Sequence, residues 1–180
     1  GNDGNISKEK LEDCINSDLA NNFGNLCQRV TAFAIKNCGG KIPDKINFDK
    51  EDLRLLNKFK SNLNLLRDKI DNQDINYYIS FIVNTLFETN KYFNDQEPWK
   101  KKDQMTRLNT IVYTTLEIVR KISFMLYPII PESSLKALKI FNISENEINF
   151  SSLENHEYLK KGISINSIDI LFKKIEKIND

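Results

Sequence analysis

Apolar residues recur every three or four positions along most of this chain, the spacing of one face of an α-helix. A short first segment, Lys8 to Ile15, carries Leu11, Cys14 and Ile15. Ser17 then offers an N-cap to a long run whose stripe is Leu19, Phe23, Leu26, Val30, Phe33 and Ala34. Gly39 and Gly40, followed by Pro43, end that run. Asp49 can cap a second long helix with Leu53, Leu56, Phe59, Leu63, Leu66 and Ile70 on its apolar side. Asp74 can cap a third, carrying Ile75, Tyr78, Ile79, Ile82, Leu86, Phe87 and Phe93. This helix should stop near Pro98, because the residue before a proline avoids helical angles. A fourth begins around Asp103 and is apolar on more than one face, which places it at the centre of a bundle. Pro128 and Pro131 bend or end it, and Pro131 opens a short fifth helix.

Beyond Ile143 the periodicity fades into loop and extended chain with a polar end. No internal repeat and no strand pair emerges. The expected fold is all-α: an antiparallel bundle of about five helices. It occupies residues 1–143, with a less regular C-terminal extension, 144–180.

Composition narrows the function classes. The chain has 180 residues, 40% hydrophobic and 28% charged, enough to bury a core and too apolar for disorder. The formal net charge is only +1, so any basic surface must be local. Cys14, Cys27 and Cys38 are an odd, widely spaced set that does not suggest a disulfide framework. Cys27, inside a strongly helical stretch, reads as a buried free thiol. The single histidine, His156, has no Ser or Cys arrangement around it and reads as a surface residue. With no close Cys pair, no metal site is expected. Gly39–Gly40 reads as a helix cap rather than a phosphate loop, and no catalytic residue stands out. No signal peptide or membrane-crossing run is visible, so the expectation is a reduced, cytoplasmic protein without a membrane role. The opening "GNDGNISKEK" has no methionine and reads as a loop leading into a helix, and the expectation is a piece excised from something longer.

Two features suit binding. Asn25 and Arg29 are four residues apart on the first long helix, so they share a face one turn apart. On spacing alone, a plain polar pair on a helix surface explains them as well. The second feature is "NDQEPWKKKD", which holds the only tryptophan, Trp99, after Pro98 and before Lys100, Lys101 and Lys102. An anchoring tryptophan is the ordinary reading. A ring beside cations also suits single-stranded nucleic acid, the ring stacking on a base and the lysines meeting phosphates. Sequence spacing does not say whether Trp99 lies near Asn25 and Arg29.

Four segments in order, "NSDLANNFGNLCQRV", "YFNDQEPWKKKD", "LYPIIPESSLKAL" and "ILFKKIE", together resemble the anticodon-binding domain of bacterial methionyl-tRNA synthetases, which are class I enzymes. The resemblance spans nearly the whole chain, and its first two motifs are the specific ones. It implies an ATP-dependent ligase that joins methionine to its tRNA, with the helix bundle holding the CAU anticodon. By motif position, Asn25 and Arg29 match the family's anticodon-reading pair, and Pro98 and Trp99 match its Pro-Trp, whose ring stacks on an anticodon base. The lysine run is not part of that motif, so phosphate contact by Lys100, Lys101 and Lys102 is an inference from their charge. The family's nucleotide-binding half, with its HIGH-like and KMSKS motifs, has no counterpart here. Missing too are the methionine pocket, the zinc-knuckle cysteines and the C-terminal dimerisation module of some members.

The expectation is therefore a module that binds tRNA without catalysing, holding no cofactor itself, with ATP and magnesium belonging to the absent catalytic domain. Its expected partners are methionine tRNA and that catalytic domain in cis, and the resemblance of "ILFKKIE" to the family's C-terminal peptide implies that the extension, 144–180, packs back on the bundle or towards that absent half. No DNA and no membrane are expected, and a monomer suffices. The alternatives are a helical protein-interaction module and an unspecific single-stranded RNA binder.

Overall fold

The computed structural model describes residues 9, 10, 13, 19 and 22–167. The expected first segment with its Ser17 cap, and the late "ILFKKIE", therefore lie outside the described residues or almost entirely so. Five α-helices appear among the described residues: α1 (Gly24–Asn37), α2 (Lys50–Asp71), α3 (Ile75–Gln96), α4 (Met105–Leu126) and α5 (Pro131–Leu138).

Local chemistry explains their bounds. α1 stops where Gly39 and Gly40 take φ of +65° and +68°, which glycine adopts without steric cost. The Asp49 carboxylate accepts from the backbone of Glu51 and Asp52, and Asp52 returns a bond to the Asp49 N–H at 2.9 Å, a complete capping box for α2. Asp74 accepts from the Tyr77 N–H at 3.3 Å and starts α3. Pro131 occupies the first turn of α5.

Neighbouring helices run antiparallel. Asp52 at the start of α2 meets Tyr92 near the end of α3, and Phe59 further along meets Phe81 at 6.0 Å between ring centroids. Gln96 at the end of α3 meets Arg107 at the start of α4, and the Tyr78 hydroxyl donates to the Met125 carbonyl at 2.8 Å near the other end. α4 is the central helix, with every residue from Thr110 to Leu126 buried.

Three apolar residues expected on buried stripes face outward instead. Leu53, Ile75 and Phe87 are exposed, Phe87 to 66%. On α3 the buried face runs through Tyr78, Ile82, Thr85, Thr89 and Tyr92, and Phe87 stands opposite it. Thr85 and Thr89 belong to that face because each hydroxyl donates to the carbonyl four residues back, at 2.7 and 2.6 Å, and so arrives already satisfied.

The segment after Ile143 is more ordered than its composition suggests. Short 3-10 turns form at Glu145–Glu147 and Phe150–Glu154, the second packs against the Lys50–Asp71 and Met105–Leu126 helices, and Leu153, Leu159 and Ile165 are buried. Buried charges on α4 hold this segment. Arg120 pairs with Glu117 at 2.8 Å and donates to the Ser152 and Asn155 carbonyls at 3.3 and 3.0 Å. The other Glu117 oxygen accepts the Leu159 N–H at 2.6 Å. Lys121 donates to the Leu153 carbonyl and meets His156 Nδ1 at 3.1 Å. His156 is half-buried in this network rather than free on the surface, with Nε2 at 3.1 Å from Asn57 Oδ1. The segment then returns to the α1–α2 connection, where Ile42 and Ile163 share a 2.8 Å backbone bond. Among the described residues no helix is long and apolar enough to cross a membrane.

Candidate nucleic-acid interface

α1 presents Asn25 and Arg29 on one side because its opposite side is committed to the core through Leu26, Cys27, Val30 and Ala34. Asn25 is exposed, and its amide makes no hydrogen bond among the described residues. Arg29 is half-buried and held. Its Nη2 donates to Asn94 Oδ1 at 2.6 Å, across 65 positions of sequence. The guanidinium lies 4.7 Å from the centroid of the Phe93 ring and 5.7 Å from that of Trp99, both within cation–π range. Partial burial draws its pKa down from the ordinary guanidinium value. It remains a cation with donors to spare, since a guanidinium has five and one goes to Asn94.

Trp99 does not hang from a free loop. Residues Pro98–Lys100 form a short 3-10 turn after α3, with Pro98 buried. Glu97 provides the reversal by taking φ +45°, a left-handed conformation that side chains other than glycine and asparagine seldom adopt. The Trp99 ring leans on buried Phe93 at 6.1 Å between centroids, tilted by 61°, and Phe93 in turn meets Phe33 edge-on at 5.8 Å. Trp99 keeps 40% of its surface exposed, so the ring is partly seated and partly available.

The structure thus brings Arg29 and Trp99 to one place, with Phe93 beneath both, and Asn25 stands one turn from Arg29 on the same helix. The lysines are not equivalent. Lys101 turns back to donate to the Gln96 carbonyl at the end of α3. Lys100 pairs with Glu97 at 2.7 Å while staying exposed, and Lys102 is exposed. Nothing in the sequence pattern singles out Asn94 or the supporting role of Phe93. No spacing rule announces a contact between residues so distant along the chain. Phe93 looked like any other apolar stripe residue.

Known proteins point in one direction. Residues 42–180 match the family model described as the anticodon binding domain of methionyl tRNA ligase. The methionine–tRNA ligase of Mycobacterium leprae is 36% identical over 158 residues, covering 85% of this chain and 29% of that protein. That of Rickettsia felis is 36% identical over 184 residues, covering 98% of this chain and 35% of that protein. The crystal structure of the free Mycobacterium tuberculosis methionyl-tRNA synthetase superposes with a TM-score of 0.84 at 30% identity, over 94% of this chain and 35% of that one. The chain therefore spans about a third of the length of the relatives it matches. With the bundle and the family model in agreement, this chain belongs to the family of methionyl-tRNA ligase anticodon-binding domains.

Proposed function

We propose that this chain reads the CAU anticodon of methionine tRNA as the binding part of a methionine–tRNA ligase. One observation carries the reading: Arg29 and the exposed Trp99 meet over the Phe93 ring, so an edge-reading cation and a stacking surface face one site. The first anticodon base is a cytosine, whose pairing edge offers two acceptors, O2 and N3, and one amino donor. Arg29 supplies only donors and Asn25 supplies both kinds, so together they satisfy that edge. A uracil presents an N–H where cytosine presents its N3 lone pair. Set against a donor-only arginine, that N–H stays unpaired and the base is disfavoured.

Trp99 contributes affinity more than identity, because every base has a flat face, and Pro98 fixes the turn that presents it. Lys102 and Lys100 add a salt-dependent attraction to phosphates that does not depend on sequence. Lys101 contributes less, being engaged with the Gln96 carbonyl. Methionine, ATP and magnesium are handled by the catalytic domain of the same ligase, joined in cis. This chain needs no cofactor, catalyses nothing by itself, and works as a cytoplasmic monomer.

The test is selectivity. Wild-type protein should bind a CAU stem-loop in preference to a UAU stem-loop in a filter-binding or calorimetric titration. Arg29→Ala should lose most of that preference. Equal loss of affinity for both stem-loops, with the preference intact, would remove Arg29 from edge reading. Equal binding of poly-pyrimidine and CAU by the wild type would point to an unspecific single-strand binder.

A further inference from the structure

Behind the candidate interface lies a charged cluster that the anticodon contacts do not use. Asp52 is fully buried. The Tyr92 hydroxyl donates to its Oδ1. Arg107 grips both carboxylate oxygens, Nη1 to Oδ2 at 2.6 Å and Nη2 to Oδ1 at 3.0 Å. The same Nη2 reaches Gln96 Oε1 at 2.8 Å and Asp49 Oδ2 at 2.8 Å. A buried carboxylate stripped of its cation is strongly destabilising, so these groups stand or fall together.

Their placement gives the cluster a further use. Gln96 is the last residue of α3, and Arg107 lies in the first turn of α4. Residues 97–104 between them are the segment that carries Trp99. Both feet of that segment are therefore tied, through Arg107, to one carboxylate on α2. Tyr92, which also bonds Asp52, immediately precedes Phe93, the ring on which Trp99 and Arg29 rest. Within the segment, Glu97 is held at φ +45°, a conformation that costs a glutamate energy and persists only where its surroundings impose it.

We propose that Asp52 and Arg107, acting through Gln96, are positioning residues that hold the Trp99 turn in the geometry that receives a base. They touch no nucleotide. They keep the Glu97 reversal from relaxing and the indole from leaving the Phe93 ring. The proposal rests on the anticodon reading for its binding readout, but not for its structural one.

Two measurements on the full chain test it, and both use the fact that Trp99 is the only tryptophan. Gln96→Ala cuts the arm between the cluster and the turn while leaving the Asp52–Arg107 pair in place. Gln96→Glu restores an acceptor for Arg107. The first measurement is acrylamide quenching of Trp99 without RNA, beside a thermal melt. Gln96→Ala should melt like the wild type, yet its tryptophan should quench more readily and emit further to the red. Gln96→Glu should restore the wild-type signal. The second is titration with a CAU stem-loop. Loss of part of the stacking contribution should weaken Gln96→Ala about three- to tenfold, with the preference for CAU over UAU retained. Arg107→Lys keeps the charge but loses the two-pronged grip, and should move both readouts in the same direction.

If Gln96→Ala and Arg107→Lys are folded, quench like the wild type and bind like the wild type, the positioning role is overturned. If the wild type itself ignores the CAU stem-loop, the anticodon reading fails, and the quenching comparison still decides whether the cluster positions Trp99.

Discussion

Arg29 has to be held and yet kept available, and its surroundings do both. Asn94 takes one donor, Phe93 supports the guanidinium, and no other Arg29 N–H is hydrogen-bonded among the described residues. Trp99 is a compromise of the same kind, seated on Phe93 and exposed over the rest of the ring. A stacked base gains roughly 1–3 kcal/mol from such a ring, so Trp99→Ala should weaken binding of a CAU stem-loop about tenfold or more. A titration of that variant that matches the wild type would end the stacking role. Charge reversal at Lys102 should reduce the slope of log affinity against log salt, by about one phosphate contact. An unchanged slope would show that Lys102 meets no phosphate. Asn25, Arg29 and Trp99 were legible as candidates because their spacing and their resemblance to a family motif are local properties. The convergence of Arg29 and Trp99 on Phe93, with Asn94 bonded to Arg29, was not legible, since packing alone decides which helix ends meet.

At the level of elements, caps and breakers were the readable signals. Asp49 and Asp74 start their helices, Gly39–Gly40 end α1, and Pro98 follows the end of α3. Asp49→Ala should cost about 1 kcal/mol as a lost cap, and somewhat more because Arg107 loses a partner. Urea denaturation measures it, and an unchanged midpoint would contradict the capping box. The segment after Ile143 was not readable as ordered, because its anchors are the buried charges of α4 rather than a pattern of its own. His156 belongs to that anchorage. Burial, with Lys121, Lys60 and Arg120 nearby and only Glu157 opposing them, pulls its pKa down to about 4 from an ordinary 6.5. The neutral ring suits its contacts, with Nδ1 accepting from Lys121 and Nε2–H donating to Asn57 Oδ1. A depressed pKa means that the unfolded chain binds the proton more readily than the folded one. This contribution to stability is therefore complete above about pH 6.5 and is lost as pH falls towards 4. Melts of wild type and His156→Gln across that window should converge as the pH drops. Parallel curves would mean that His156 does not titrate in this way.

For the whole molecule, periodicity was enough to give an all-α bundle with the Met105–Leu126 helix at its centre. A helix apolar on several faces has few other places to go. It was not enough to place Leu53 and Phe87, which lie on apolar stripes by spacing and in solvent by packing. It also hid Asp52, Glu117, Arg120 and Lys121 from the core, because a buried charge betrays itself only through partners brought by other elements. These partners give the bundle two joints. One ties the Trp99 turn to α2 and α4, and the other ties residues 150–159 to α4. The candidate interface sits over the first. Arg29, Asn25 and Trp99 are proposed there as one surface for a CAU anticodon. The most direct measurement is a titration of the chain with a CAU stem-loop, followed in the fluorescence of Trp99 and repeated with UAU. Saturable quenching at lower concentration with CAU than with UAU is the expected result. An indole signal that does not change, or that responds equally to both, would contradict it.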